Sequence, residues 1–234
     1  MTLYFRIFHP KKKKGWDLTF SEKLSNYSLA IAFCLGTLLY FNEDKWNITI
    51  PDYFSWILVI AFFGHVLSFI IRLKEHENVN GFFEGNIRFE SEYIETNNSR
   101  FFYTDISNLK ISVGDYYGKP TGNYKYGPSY KNGLSNFISF RVKDEYKEFY
   151  FEINAEYYIE CFYNNLVDII CQEKIKYDRN YLDFIPCSHR ASNQFQKFIT
   201  KLLKEKKIGC TEGLLIMGYS SDQEAKDMRA KYCS

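Results

Sequence analysis

The residues best suited to catalysis or metal binding are four histidines (His9, His65, His76, His189) and six cysteines (Cys34, Cys161, Cys171, Cys187, Cys210, Cys233). Their spacing recommends neither. No two cysteines form a CxxC pair. Cys187-Ser-His189 offers two ligands where a zinc site needs three or four. The acidic residues are scattered, with no pair set apart for general acid–base work. Gly118-Lys-Pro-Thr-Gly122 has phosphate-loop residue types, but it lacks the GxxxxGK[ST] spacing and no helix follows to supply an N-terminal dipole. The chain therefore reads as non-enzymatic, with no cofactor and no metal.

The stretch most suited to recognition is Gly114–Gly133. It is rich in glycine and carries Tyr116, Tyr117, Tyr124, Tyr126 and Tyr130 beside Lys119, Lys125 and Lys131. Tyrosine offers a large amphipathic contact area, and glycine permits tight bends. A loop of this length inside a compact domain is usually functional or disordered. Two readings stand side by side. In one the loop is a surface for a protein, peptide or headgroup; in the other it is a long hairpin whose tyrosines pack on the domain or the membrane interface.

Two apolar stretches, Leu24–Phe41 and Tyr53–Ile71, must position everything else. The second carries no formal charge and would be about 28 Å long as a helix, close to a hydrocarbon core of roughly 30 Å. The first is shorter and more polar at its start. No small-x-small cleavage site follows it, so an uncleaved transmembrane hairpin is expected rather than a signal peptide. Arg6, Lys11, Lys12, Lys13, Lys14 and Lys23 precede the pair, and Arg72 and Lys74 follow it. The connection between the two stretches has only Lys45, beside Glu43 and Asp44. The positive-inside rule then places both termini in the cytoplasm, with Lys11–Lys14 at the anionic cytoplasmic face of the membrane. Trp46, Tyr53 and Trp56 suit the outer interface. Asn47-Ile-Thr49 matches a glycosylation acceptor, a pattern common by chance. Ser28, Ala32 and Gly36 recur at every fourth residue, and Ala61, Gly64 and Ser68 form a similar stripe. Small residues let helices approach closely, so these stripes should face each other or a second subunit. His65, mid-span with no acidic partner in either stretch, reads as a neutral histidine bonded across the helix pair.

After a short polar link the period becomes two. Ile87 and Phe89, Tyr93, Phe101–Tyr103, then Leu109, Ile111 and Val113, Ile138, Phe140 and Val142, and Phe149, Phe151 and Ile153 predict antiparallel strands, the last two joined across Lys143–Glu148. A helix capped by Asn154 should follow, with Ile159, Phe162, Leu166, Ile169 and Ile170 on one face. Beyond a linker over 175–190, Phe195, Phe198, Ile199, Leu202 and Leu203 predict another amphipathic helix. Ile208–Tyr219 could be a strand, and Ser221 with Glu224 forms a capping box for a last helix. Five of the cysteines fall on the side assigned to the cytoplasm, where thiols stay reduced.

Antiparallel strands closed by one amphipathic helix describe a pleckstrin-homology-like (PH-like) barrel. Gly81–Lys174 resembles the bacterial PH-like (also GRAM-like) domains tethered to a transmembrane hairpin. The resemblance rests on Tyr103-Thr-Asp-Ile-Ser-Asn-Leu, the Asp115-Tyr-Tyr-Gly turn and Gly127-Pro128…Asn136-Phe-Ile-Ser-Phe. It implies a membrane-anchored α+β chain in a bacterial cytoplasmic (inner) membrane, with a two-helix hairpin followed by a PH-like antiparallel barrel capped by a helix. The expected divisions are a basic segment over 1–23, a hairpin over 24–75, a PH-like domain over 81–174 and a helix–strand–helix unit over 191–234. It carries no catalytic signature. The segment matching the basic first hairpin of phosphoinositide-binding members, Ile87-Arg-Phe-Glu-Ser-Glu-Tyr93, has one Arg and two Glu, which argues against phosphoinositide binding. A net charge of +2 gives no case for nucleic acid. The partners expected are the lipid bilayer, and a protein partner or self-association through the membrane helices. The function expected is a membrane-bound binding or scaffold module; the alternative is an oligomeric pore with the soluble part as sensor or gate.

Overall fold

The computed structural model describes residues 2–12, 15–41, 51, 53–97, 99–122 and 127–233. The chain is α+β: two long apolar helices near the N-terminus, an antiparallel sheet, then further helices. It divides into two compact units. The first comprises Met1–His9, Phe83–Asp115 and Leu134–Ser234; the second comprises Pro10–Phe82 and Tyr116–Gly133.

The first unit is built on a seven-stranded sheet. Its strands are β1 (Leu3–Pro10), β2 (Gly81–Phe89), β3 (Tyr93–Thr96), β4 (Ser99–Phe102), β5 (Ile106–Ser112), β8 (Asn136–Val142) and β9 (Glu145–Phe151). They lie in the order β4-β3-β2-β1-β9-β8-β5. The opening of the chain, which falls within the basic segment expected over 1–23, is thus the middle strand. Its alternation explains the placement: Leu3, Phe5 and Ile7 are buried while Tyr4 and Arg6 are exposed. The β8–β9 connection is tighter than Lys143–Glu148. Val142 pairs with Glu145, and Lys143 and Asp144 both take positive φ (48° and 72°), as a two-residue type I′ turn requires. In β5 the register shifts between Ser107 and Lys110, where Asn108 has φ 51°, a bulge that precedes the expected alternation; beyond it Leu109 and Val113 are buried and Ile111 half-buried, while Lys110 and Ser112 are exposed.

Helix α3 (Glu156–Cys171) lays Phe162, Leu166, Ile169 and Ile170 onto this core. Phe162 meets Phe89 edge-on at 5.1 Å between ring centroids. The N-cap is Ala155, not Asn154, and it makes no side-chain cap bond. A cavity of about 20 Å³ remains beside α3, lined by Phe89, Tyr103, Ile138, Phe162 and Asn165 among others. Asn165 Nδ2 is buried there with no hydrogen-bond partner.

The rest of this unit is helical. The 175–190 segment is no free linker: it forms a 3-10 turn at Arg179–Phe184 and a short helix, α4 (Cys187–Arg190), and it buries Tyr181, Leu182 and Ile185. Helix α5 (Asn193–Lys204) is capped by Ser192, whose hydroxyl accepts from Phe195 N–H at 3.3 Å, and it buries the five apolar residues of its stripe. The expected strand over Ile208–Tyr219 is a helix, α6 (Cys210–Met217). A short apolar run cannot distinguish strand from helix by period alone. Packing decides: a Cβ on Gly213 would lie 2.6 Å from a Leu203 methyl, so glycine permits close contact with α5. Helix α7 (Asp222–Tyr232) begins at Ser221, which accepts from Glu224 N–H, but the Glu224 carboxylate turns back to Ser220 rather than to Ser221. Cys210 and Cys233, expected as reduced thiols, form a disulfide that joins the start of α6 to the end of α7. They stand 23 residues apart, and the return of the chain through α7 brings them together.

The second unit contains α1 (Phe20–Phe41) and α2 (Tyr53–Arg72), each long and apolar enough to cross a membrane. Only 11% of the apolar window of either helix is buried, and Phe33, Trp56, Ile60, Phe62 and Phe63 are exposed. The core helix of a water-soluble protein would be mostly covered. The same unit holds β6 (Tyr117–Pro120) and β7 (Tyr130–Asn132), which pair antiparallel within the Gly114–Gly133 stretch.

Candidate functional site

The polar residues of the second unit converge at the α1 N-terminus and the segment just beyond α2. The backbone N–H of Thr19 donates to the Glu22 carboxylate at 2.7 Å, the returning half of a capping box. The Thr19 hydroxyl faces Glu75 instead and donates to it at 2.8 Å. Glu75 also accepts from Ser21 N–H at 3.0 Å and from the Ser21 hydroxyl. A carboxylate three residues past α2 thus satisfies an orphan donor in the first turn of α1 and sits at the positive end of its dipole. Burial pushes the Glu75 carboxyl up. The hydrogen bonds from Ser21, Thr19 and the Phe20 backbone outweigh that and hold it below the usual carboxylate range.

The 116–133 stretch is fastened to the same place. Tyr130 N–H donates to Glu75 C=O at 3.1 Å, and Glu77 N–H donates to Tyr130 C=O at 2.8 Å. The His76 ring lies stacked on Tyr117, 4.4 Å between centroids and 12° from parallel, with Tyr130 at 5.4 Å. Asn132 Nδ2 donates to Asn78 C=O at 3.1 Å, while the side chains of Asn78 and Asn80 donate to the Asp17 carboxylate. Gly118 takes φ +85° with nothing near its missing Cβ, so conformation rather than space demands glycine there. Thr121 closes the far end, donating from its hydroxyl to Pro128 C=O at 2.7 Å and from its N–H to Ser129 C=O at 3.0 Å.

Among the residues singled out for recognition, Tyr117 is exposed, while Tyr116, Lys119, Tyr130 and Lys131 are half-buried. Lys119 Nζ stands 6.0 Å from the Tyr116 ring centroid. Tyr124, Lys125 and Tyr126 lie outside the described residues, as do Lys13 and Lys14, Trp46 and the Asn47–Thr49 acceptor. Lys11 and Lys12 are exposed, and Lys11 Nζ lies 5.5 Å from the Phe82 ring centroid.

The small-residue stripes divide unequally. Ser28, Ala61 and Ser68 are buried, Ala32 and Gly64 half-buried, and Gly36 exposed with open space at its Cβ position. Gly64 and Ser28 touch: a Cβ on Gly64 would lie 2.6 Å from Ser28 Oγ. One turn nearer the α1 start, Ser25 Oγ and His65 Nδ1 share a hydrogen bond of 3.0 Å across the pair.

Asp115 and Asn136, quoted above only for the resemblance, pair at the stem of the 116–133 stretch, a link that sequence reasoning missed. Asn136, fully buried, accepts from Gly114 N–H at 3.0 Å and from Asp115 N–H at 2.9 Å, and donates to Asp115 C=O at 2.9 Å. Asp115 in turn accepts from Ser135 N–H at 3.1 Å. Two polar residues flanking a glycine-rich loop were the available signal. At the other tempting site, His189 Nδ1 meets Ser188 Oγ at 3.0 Å. Among the described residues no group of three or more His, Cys, Asp or Glu could hold a metal ion. Burial pushes the Cys171 thiol up to about 12, with Asp168 adding to the effect, so it is a poor nucleophile. The arrangement thus ties helix ends and a loop together through hydrogen bonds and stacked rings. Comparison with known proteins finds no matching family model, no matching curated protein and no matching solved structure.

Proposed function

We propose that the chain is an integral membrane protein that presents a PH-like binding or scaffold module at the inner surface of a bacterial membrane, without catalysis. The exposed apolar surface of α1 and α2 carries this reading. Helices of 22 and 20 residues span about 33 and 30 Å. Their outward Phe, Ile and Trp side chains are stable in lipid and costly in water. Ser25, Ser28, His65 and Ser68 are used between or within the helices, which favours a packed anchor over the wall of a pore. The PH-like reading draws on the strand order and on the single helix α3 that follows β9 and covers its core. Its range extends back to Leu3–Pro10, with the hairpin inserted between β1 and β2.

The basic residues flanking the hairpin favour cytoplasmic termini. The Cys210–Cys233 disulfide pulls the other way, since thiols there stay reduced. The charge count has the greater weight because it acts on insertion itself. Alkaline carbonate extraction followed by sedimentation tests the anchor: the protein should stay in the pellet, and release into the supernatant overturns it. Reporter fusions at both ends test the orientation. Alkaline phosphatase activity at either terminus would reverse it.

A further inference from the structure

Helix α5 carries two complementary stripes. The buried stripe is apolar. The opposite one, at 193, 196, 197, 200, 201 and 204, is polar and lines a groove of about 650 Å³ whose far wall is Tyr232, at the end of α7. Lys197, Lys201 and Lys204 stand along it, spread over about 10 Å of helix axis. Glu205, the acid lining the groove, is bonded to Lys207 at 2.7 Å and lies 3.9 Å from Lys201. Lys201 pairs with Glu173. Among the described residues, Lys197 and Lys204 have no acidic partner and are exposed. Asn193, Thr200 and Tyr232 add uncharged polar groups along the same walls.

We infer that this groove docks an acidic segment of a protein partner. The geometry separates that partner from a single phosphate. A phosphate site converges its donors on one point, whereas these cations lie in a row, at spacings that match carboxylates repeated along a peptide. The groove also depends on its second wall. Helix α7 has no buried side chain of its own, so little apolar burial holds Tyr232 in place. The adjoining Cys233 is tied to Cys210, and that bond fixes the end of α7. The inference rests on the reading of the chain as a binding module but not on its membrane anchor.

The test uses the full chain in an uncharged detergent, with fluorescein-labelled octaglutamate as probe and fluorescence anisotropy as readout. Octaglutamate should bind, and labelled octalysine should not. Lys197→Glu with Lys204→Glu should weaken binding about ten-fold or more, and Lys197→Arg with Lys204→Arg should retain it. Lys110→Glu with Arg141→Glu makes the same change in net charge on the sheet and should leave binding within about two-fold. Equal losses in the two charge-reversed proteins, with circular dichroism unchanged, overturn the site. Competition by inorganic phosphate beyond that of chloride at matched ionic strength also overturns it, in favour of a small-anion site. Cys233→Ser should weaken binding several-fold, and unchanged affinity overturns the role of the disulfide in shaping the groove. Carbonate extraction reads the anchor independently, so failure of the groove is distinguishable from failure of the membrane reading.

Discussion

Glu75 and Asn136 do at single-residue scale what neither helix nor sheet does alone. Glu75 links the end of one helix to the beginning of the other. Glu75→Gln keeps the shape but removes the charge at the α1 dipole, and should cost about 1 kcal/mol. Because the folded carboxyl titrates below its ordinary value of 4.5, its contribution is complete above that value and lost as pH falls through the folded one. A thermal-unfolding series in detergent from pH 7 to pH 3 should therefore show wild type and variant converging at the acid end. A constant gap would contradict the charge argument. Asn136 is fully buried and serves four backbone groups, the N–H of Gly114 and the N–H and C=O of Asp115 closely and the Phe151 C=O at 3.5 Å. Asn136→Ala removes these bonds from a buried site and should cost about 3 kcal/mol, read as a lowered denaturation midpoint. A loss under about 0.5 kcal/mol would mean that water replaces the amide at little cost.

At the scale of elements, the α1–α2 contact distinguishes two glycines that the sequence presents alike. Gly64 faces Ser28 closely, while Gly36 faces open space. Gly64→Leu should sharply reduce the yield of monodisperse protein in detergent, and Gly36→Leu should leave it near wild type. The reverse result would place the helix contact on the other face. Elements with a strong period are legible in the amino-acid sequence. The five apolar residues of α5 are all buried, and so are four of the five assigned to α3. The α6 run is not legible, because eight residues of mixed small and apolar side chains satisfy both periods. The glycine- and tyrosine-rich loop is legible as unusual, but its fastening is not. His76, Glu77 and Asn78 lie about 40 residues or more from their loop partners in sequence, and no local pattern announces such pairs.

For the whole molecule, the organising fact is an insertion. Strands β1 and β2 are neighbours, and Lys11 N–H donates to Asn80 C=O at 2.9 Å where the hairpin leaves and rejoins the sheet. Replacing residues 12–79 with a short Asn-Gly turn, and residues 116–133 with a short Gly/Ser link, should give a water-soluble folded domain. Removing residues 2–10 as well should abolish folding, because the middle strand is lost. Circular dichroism with a cooperative melt checks both; a folded domain without β1 would refute its central role. Composition by itself determined that two stretches are long and apolar enough to cross a membrane and which stretches alternate, because those properties act locally along the chain. Only the tertiary structure decided that the first strand belongs to the last, that the glycine- and tyrosine-rich loop is held at the foot of the hairpin, and that Cys210 meets Cys233. Each joins residues far apart in sequence, and whether such groups meet is set by packing, which no local period encodes.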